Sequence, residues 1–252
     1  MEPKPVVPDQ YRPEVWNQYG TVFTFLDNLV DHKHIFKMYY PQGQELMEQL
    51  PGWSERKFLT LMNANKYSYV QHELYSVRRQ AIRYFERNPD FDLYGFDWNH
   101  NGTLNLGAAS QAFKSGHWIQ YVMDVIAGFR HAACYRGTVP DKRATIAKYK
   151  FAIAFENESK TQGYITEKIF DCFFAGTVPV YLGAENITYY VPADCFVDFR
   201  KFSGFAELEK FLRAMTEPEF LRYQKNGQRF LHGPAFAPWL PKNVFASITE
   251  HL

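Results

Sequence analysis

The sequence predicts an α/β fold in which a parallel sheet is covered by helices on both faces. Continuous apolar runs recur along the chain, as at residues 151–155 and 178–182. Such runs are typical of strands that are buried on both faces. Between them, apolar residues recur at helical spacing, as at Ile165, Ile169 and Phe173. Strands alternating with amphipathic helices favour a parallel sheet with crossover helices.

The same two patterns predict the elements in order. Short β-branched and aromatic runs predict strands at residues 21–25, 35–40, 58–62, 91–96, 151–155 and 178–182. Helical spacing predicts helices at residues 70–85, 108–128, 165–173 and 205–215, the second interrupted near Ser115 and Gly116. Gly176 follows the third helix at the position where a glycine commonly ends one.

Proline and glycine divide the chain into three parts. Residues 1–13 contain four of the fourteen prolines, which predicts irregular, extended backbone near the start of a segment covering residues 1–40. Residues 41–56 contain Gly43, Pro51 and Gly52 and are expected to be a linker with a turn or two of helix. The strand and helix alternation then occupies residues 57–252.

Composition excludes several classes of protein. The chain has 252 residues, of which 46% are hydrophobic and 22% charged, so it is not a disordered chain. The formal net charge is +1, which excludes nonspecific binding to nucleic acid or to an anionic membrane through a global basic field. An anionic ligand would therefore be held by a few well-placed cations.

The cysteines and the apolar runs bear on location. Cys134, Cys172 and Cys195 form no metal-binding pair and are interpreted as small buried side chains in a reducing compartment. The uncharged run of 13 residues at 172–184 is too short and too rich in glycine and proline to span a bilayer. The first residues do not resemble a signal peptide. A cytoplasmic protein is expected, peripheral to a membrane at most, unless an anchor has been removed.

The richest candidate site lies in residues 148–183. A buried strand ends at Phe155, a polar loop follows, and a helix begins near residue 166. This order brings five polar side chains to the carboxyl edge of the sheet, namely Glu156, Asn157, Tyr164, Glu167 and Lys168. The free N–H groups of the first helical turn suit a phosphate, and Lys168 adds a full positive charge. Equally, Lys168 could simply pair with Asp171 while Glu167 favours the helix start.

Motifs in this stretch resemble the donor-binding region of the α-1,3/1,4-fucosyltransferases, glycosyltransferase family ten. The matching pieces occur in family order, and they are Tyr149-Lys150-Phe151, Phe155-Glu156-Asn157, Tyr164-Ile165-Thr166-Glu167-Lys168 and Val178-Pro179-Val180-Tyr181-Leu182-Gly183. The resemblance implies a GT-B-like enzyme whose Rossmann-like C-terminal domain binds GDP-fucose and whose N-terminal domain binds a glycan acceptor. It also implies an inverting reaction, no cofactor and no essential metal.

The resemblance assigns residues to roles. Arg79 and Lys168 would neutralise the pyrophosphate, where negative charge develops as GDP leaves. Tyr164 and Glu167 match positions that contact the nucleotide sugar, and Glu156 and Asn157 line the same pocket. The general base matches Glu2, a short match at a terminal position where a solvated residue is also expected. By the same comparison, residues 1–40 are a remnant of the acceptor-binding domain.

Several alternatives remain open from the residues alone. Arg79 lies in a basic stretch with Arg78, Arg83 and Arg87 that also fits a solvated helix face. The Asp90-Phe91-Asp92 triplet matches a metal-binding signature of another glycosyltransferase architecture but is interpreted as structural. The function could instead be a GT-B transferase using another nucleotide sugar, or a truncated module that binds a nucleotide sugar without transferring it. A eukaryotic fragment lacking its anchor would belong in the Golgi.

Overall fold

The N-terminal part of the chain forms a small sheet of its own. The computed structural model describes residues 12–43, 47, 49–98, 106–114, 116–128 and 133–251. Helix α1 (Pro13–Trp16) precedes strands β1 (Val22–Thr24) and β2 (Ile35–Lys37), which pair in parallel. Both predicted strands are confirmed, although β2 is shorter than expected because the backbone from residue 38 onward leaves the pair.

The main sheet has five parallel strands. They are β3 (Lys57–Met62), β4 (Phe91–Tyr94), β5 (Tyr149–Phe155), β6 (Val178–Leu182) and β7 (Val197–Asp198), in the spatial order β4-β3-β5-β6-β7. The central strands carry fully buried residues such as Leu59, Phe151 and Val180, as their unbroken apolar runs predicted. The strand order reverses between β3 and β5.

Helices cover both faces of this sheet. They are α2 (Tyr75–Phe85), α3 (Leu106–Lys114), α4 (Trp118–Gly128), α5 (Lys142–Ile146), α6 (Glu167–Phe174), α7 (Ile187–Tyr190), α8 (Phe205–Ala214), α9 (Glu217–His232) and α10 (Pro241–Glu250). The predicted helices are confirmed, including the interruption between α3 and α4. The sequence patterns did not predict α5, α7, α9 or α10.

Three groups of buried side chains fill the space between sheet and helices. On one side, Phe85 of α2, Leu208 of α8 and Phe220 of α9 pack against the strands. A second group joins Phe170 of α6 to aromatic residues near the C-terminus, and a smaller group joins α5 to α6. The predicted α/β class, with helices on both faces of a parallel sheet, is therefore confirmed.

The ends of the described chain meet at the small sheet. The Thr21 hydroxyl donates to the carbonyl oxygen of His251 at 3.0 Å. The His251 ring lies 3.8 Å, centroid to centroid, from that of Phe36 in β2. The backbone just beyond α10 therefore closes over β1 and β2.

A polar network joins residues 22–37 to the main sheet's loops. The carboxylate of Asp27 accepts from Lys37 and Tyr190, both at 2.6 Å, and from Asn186 at 2.7 Å. In the expected linker, Gln42 is buried and its backbone N–H donates to the Trp239 carbonyl at 2.7 Å. The division into an acceptor-domain remnant, a linker and a donor domain stays a prediction.

The three cysteines lie where their sequence interpretation predicted. Cys134, Cys172 and Cys195 are all buried and free, as their interpretation as small buried side chains requires. Burial raises the pKa of Cys134 to about 11 and that of Cys195 to about 12, so neither thiol ionises near neutrality. Among the described residues, no helix is long and apolar enough to cross a membrane.

Gly95 is expected to tolerate no side chain. Its φ is +133°, and a Cβ there would overlap the carbonyl oxygen of Asn63. That oxygen also accepts from the Trp98 indole at 2.7 Å, so it cannot readily move. We expect Gly95→Ala to lower the free energy of unfolding by about 2 kcal/mol or more. Urea unfolding would measure the loss. Gly204→Ala is the matched control, since nothing lies within 4 Å of a Cβ there, and an equal loss in both variants would contradict the argument.

Candidate functional site

A cleft of about 340 Å³ opens at the carboxyl edge of the main sheet. Met62, Asn63 and Ala64 line it from the end of β3, and Asn157 lines it just beyond β5. In doubly wound sheets ligands bind outside the carboxyl ends of the strands, where the strand order reverses. The reversal here lies between β3 and β5, so the cleft occupies the position where the fold class places its ligand.

The cleft is bordered mainly by positive charge. The charged side chains in its lining are Lys66, Arg78, Lys142, Glu167 and Lys168. Glu167 and Lys168 form the first turn of α6, whose N-cap residue Thr166 makes no side-chain capping bond. The Thr166 side chain therefore does not occupy the N–H groups of this turn. Such a border, with one acid among four cations, suits an anion with several negative oxygens.

Glu156 lies beneath this border, fully buried. One carboxylate oxygen accepts from the Thr166 backbone N–H at 2.8 Å, and the other accepts from the Thr166 hydroxyl at 2.7 Å and from Lys168 Nζ at 3.2 Å. Glu156 is not part of the described cleft lining. It positions the start of α6 and the Lys168 ammonium from below, whereas the sequence comparison placed it in the pocket wall.

Asn157 and Tyr164 belong to a second network. The buried guanidinium of Arg78 donates from Nη2 to the Phe155 carbonyl at 2.6 Å and to Asn157 Oδ1 at 3.0 Å. The Asn157 amide in turn donates to the Tyr164 hydroxyl at 3.3 Å. Tyr164 is 3% exposed and lies behind Asn157, outside the described lining. Burial lowers the pKa of Arg78 from its ordinary value, but these acceptors suit the charged form.

Arg79 points to a different set of partners. Its Nη1 donates to the Lys66 carbonyl at 2.8 Å, and its guanidinium lies 4.2 Å from the centroid of the Tyr67 ring. Arg78 and Arg79 are only 4% and 6% exposed, so the solvated-face alternative is wrong. Arg78 lines the described part of the cleft and Arg79 does not. The contact of Arg79 with a ligand stays a prediction.

The simple pairing considered for Lys168 is also wrong. Asp171 pairs instead with two residues of α5, Lys142 at 2.7 Å and Arg143 at 2.9 Å. Lys168 turns toward Glu156, with Glu167 at 3.7 Å. Asp171 is therefore already paired with residues of α5, and Lys168 remains at the cleft.

Lys142 is the cleft residue that the sequence patterns missed. It begins α5, a helix of five residues whose N-cap Asp141 accepts from the Ala144 N–H. Burial alone would lower the pKa of Lys142, but Asp171 and Glu167 raise it above the ordinary value. Burial would likewise raise the pKa of Glu167, and Lys168 and Lys142 bring it below the ordinary value. Lys142 and Glu167 are therefore both charged at neutral pH. The Pro140-Asp141 pair was a usable signal, since both residues favour a helix start.

Comparison with known proteins identifies part of the chain. Residues 120–230 match the sequence model of "Glycosyltransferase family 10 (fucosyltransferase) C-term". Over this segment the chain is similar to the C-terminal domain of that family. Human alpha-(1,3)-fucosyltransferase 7 is 45% identical over 82 residues, covering 31% of this chain and 24% of that protein. Mouse 4-galactosyl-N-acetylglucosaminide 3-alpha-L-fucosyltransferase 9 is 46% identical over 75 residues, covering 29% and 21%. The match thus spans about a quarter of these relatives.

The fold of the chain has a solved counterpart. The crystal structure of TarM aligns with 96% of this chain and 45% of its own, at 10% identity and a TM-score of 0.53. At that identity the likeness concerns the fold alone, which is GT-B-like. The segment that matches the family model, residues 120–230, contains six of the site residues: Glu156, Asn157, Tyr164, Glu167, Lys168 and Lys142. Arg78 and Arg79 precede it and reach the same edge of the sheet through α2.

Two remaining candidates lie away from the cleft or outside the described residues. Asp92 is buried within β4 and accepts from Lys57 at 2.8 Å, Arg136 at 2.6 Å and the Tyr149 hydroxyl at 2.6 Å, so its role is structural. Glu2, the candidate base, falls outside the described residues. In the described part of the chain no cluster of His, Cys, Asp and Glu could hold a metal ion, and the expectation of a metal-free reaction stays a prediction.

Proposed function

We propose that this chain is the donor-binding part of an inverting α-1,3-fucosyltransferase that transfers fucose from GDP-fucose to a hydroxyl of a glycan. The cleft at the strand-order reversal carries the proposal, because it joins the family motif at residues 156–168 to a border of cations. GDP-fucose is a nucleotide sugar with a diphosphate, and that group matches the charge of the border. Human and mouse relatives named as fucosyltransferases support the sugar.

For this reaction the protein mainly has to position the two substrates and stabilise the charge of the leaving group. The acceptor oxygen forms a bond to C1 of fucose while the bond from C1 to the β-phosphate oxygen breaks, and that electron pair leaves with GDP. The leaving diphosphate gains negative charge, which Lys168 and the first turn of α6 stabilise at the cleft border. Arg79 is the second cation expected from the family resemblance. The hydroxyl proton goes to a carboxylate base, for which Glu2 is the matching residue.

Calorimetric titration with GDP and GDP-fucose, with and without divalent metal, tests the donor site. Lys168→Ala is expected to weaken GDP binding by about tenfold or more, because a hydrogen bond to a charged group contributes about 1.5–3 kcal/mol. Lys210→Ala, on the exposed face of α8, is the matched control and should bind as the wild type does. Equal affinity of wild type and Lys168→Ala for GDP would place the diphosphate elsewhere, and no binding by the wild type would overturn the donor site.

The same titrations separate the two alternative functions. Tighter binding of UDP or another nucleotide than of GDP would favour a transferase with a different donor. Binding of GDP-fucose without transfer or hydrolysis would identify a nucleotide-sugar binding module. A transfer assay with N-acetyllactosamine-type acceptors distinguishes that module from an active transferase. Placement in the cytoplasm, peripheral to a membrane or in the Golgi stays a prediction, to be read from localisation of the full gene product.

A further inference from the structure

Two lysines bracket a single carboxylate oxygen at the cleft. Oε1 of Glu167 lies 3.6 Å from Lys142 Nζ and 3.7 Å from Lys168 Nζ. The two ammonium groups come from different helices, α5 and α6, and both side chains line the cleft. The two ammonium groups stabilise the negative oxygen of Glu167 that lies between them. An oxygen of a multiply charged ligand in the same position would be stabilised in the same way.

The lysines remain accessible while being firmly held. The side chains of Lys142 and Glu167 are each 37% exposed, and that of Lys168 is 21% exposed. Lys142 is held at its other side by Asp171 at 2.7 Å, and Lys168 by Glu156 at 3.2 Å. Each ammonium thus has a buried carboxylate partner that does not depend on Glu167. Glu167 can turn away and leave both cations in place.

The arginines of the site are less suited to this task. Arg78 reaches the cleft, but its guanidinium holds the Phe155 carbonyl and the Asn157 side chain. Arg79 holds the Lys66 carbonyl and lies against Tyr67. A diphosphate carries more charge than Lys168 alone neutralises, and Lys142 shares the Glu167 oxygen with Lys168, so it is placed to share that charge.

We propose that Lys142 and Lys168 form a two-lysine clamp for the diphosphate of the nucleotide sugar, and that the Glu167 carboxylate occupies the clamp until the ligand displaces it. This inference rests on the proposed function, because it concerns the same cleft. It adds a binding residue that the family motif at residues 156–168 does not contain.

Three variants test the clamp by titration with GDP, inorganic pyrophosphate and guanosine. Lys142→Gln should weaken binding of GDP and pyrophosphate by about tenfold or more and leave guanosine affinity unchanged. Lys142→Arg should restore most of the GDP affinity, since it keeps the charge. Arg143→Gln is the matched control. Arg143 lies on the same helix as Lys142 and also pairs with Asp171, but it does not line the cleft. This variant should lower the unfolding temperature without changing GDP affinity.

The outcomes separate the clamp from the donor site itself. Wild-type binding of GDP with unchanged affinity in Lys142→Gln would overturn the clamp and leave the proposed function standing. Equal losses of GDP affinity in Lys142→Gln and Arg143→Gln would assign the effect to the pairing with Asp171 and overturn the clamp as well. Absence of GDP binding by the wild type would overturn both proposals.

Discussion

Glu156→Ala is expected to lower the free energy of unfolding by about 3 kcal/mol and to remove measurable GDP binding. The carboxylate is fully buried and accepts from the Thr166 N–H, the Thr166 hydroxyl and Lys168. Alanine would leave the buried N–H and hydroxyl of Thr166 without their acceptor, and each orphaned group costs about 1–3 kcal/mol. Lys168 would keep its bond to the Thr166 hydroxyl at 2.9 Å but lose its carboxylate partner. Because the same bonds hold the start of α6, the cation and the helix terminus at the cleft would both shift.

Urea unfolding and calorimetry would measure these two losses separately. Glu156→Gln keeps the shape and one strong acceptor, so it should fold better than alanine while holding Lys168 less firmly. Glu250→Ala is the control for removing an exposed glutamate, here from the last turn of α10. If Glu156→Ala unfolded like the wild type, the carboxylate would have no structural role and the support assigned to α6 would be wrong.

Asp92→Asn is expected to destabilise the fold by about 3 kcal/mol and to leave any metal dependence unchanged. Asp92 is fully buried and pairs with Lys57 of β3 and with Arg136 of the segment that precedes α5. Removing one partner of a buried ion pair typically costs about 3–5 kcal/mol. Both lysine and arginine are partly exposed here, which puts the expected cost at the lower end of that range.

The other aspartate of the Asp90-Phe91-Asp92 triplet is the matched control. Asp90 pairs with Arg213 at the surface, where both side chains are about two-fifths exposed. Such pairs contribute about 1 kcal/mol at most, so Asp90→Asn should change the unfolding midpoint only slightly. A metal-binding triplet would instead show loss of manganese binding in both variants. Manganese titration of the wild type and of the two variants therefore decides between a structural and a metal-binding triplet.

The shifted pKa of Asp92 predicts how the free energy of unfolding changes at acidic pH. Burial raises its pKa, but the bonds from Lys57, Tyr149 and Arg136 together bring the pKa below the ordinary value of 3.8. The unfolded chain therefore takes up the proton first, and the contribution of Asp92 is complete above about pH 4. It is lost as the pH falls from there through the lower pKa of the folded state. Below pH 4, Asp92→Asn should lose stability less steeply than the wild type.

The sequence predicted most of the fold and the centre of the candidate site. Continuous apolar runs are sufficient to locate buried strands, so β3, β5 and β6 were predicted closely. The order of motifs placed Asn157, Glu167 and Lys168 at one sheet edge, and they do meet there. These features depend on local sequence pattern and on the rule that parallel strands bring their carboxyl ends to one sheet edge, so the sequence alone is enough to predict them.

The missed features depend on contacts between distant residues. A helix of five residues, such as α5, has too few turns to show a periodic pattern, so Lys142 was overlooked. The burial of Arg78 and Arg79 follows from carbonyl acceptors at Phe155 and Lys66, which no spacing within α2 reveals. Glu156 was assigned to the pocket wall because its position in the motif does not show that its side chain turns down toward Thr166.

The contact between Thr21 and His251 has a consequence for synthesis of the protein. The ribosome makes Thr21 230 positions before His251, the residue that closes over the small sheet of β1 and β2. The parallel pairing of this sheet therefore lacks one of its covering surfaces until those later residues are made. Late closure of this kind favours slow folding and a long period of exposed strand edges. Chaperone dependence during translation should accordingly be greatest for residues 22–37, although they contribute little to the main core.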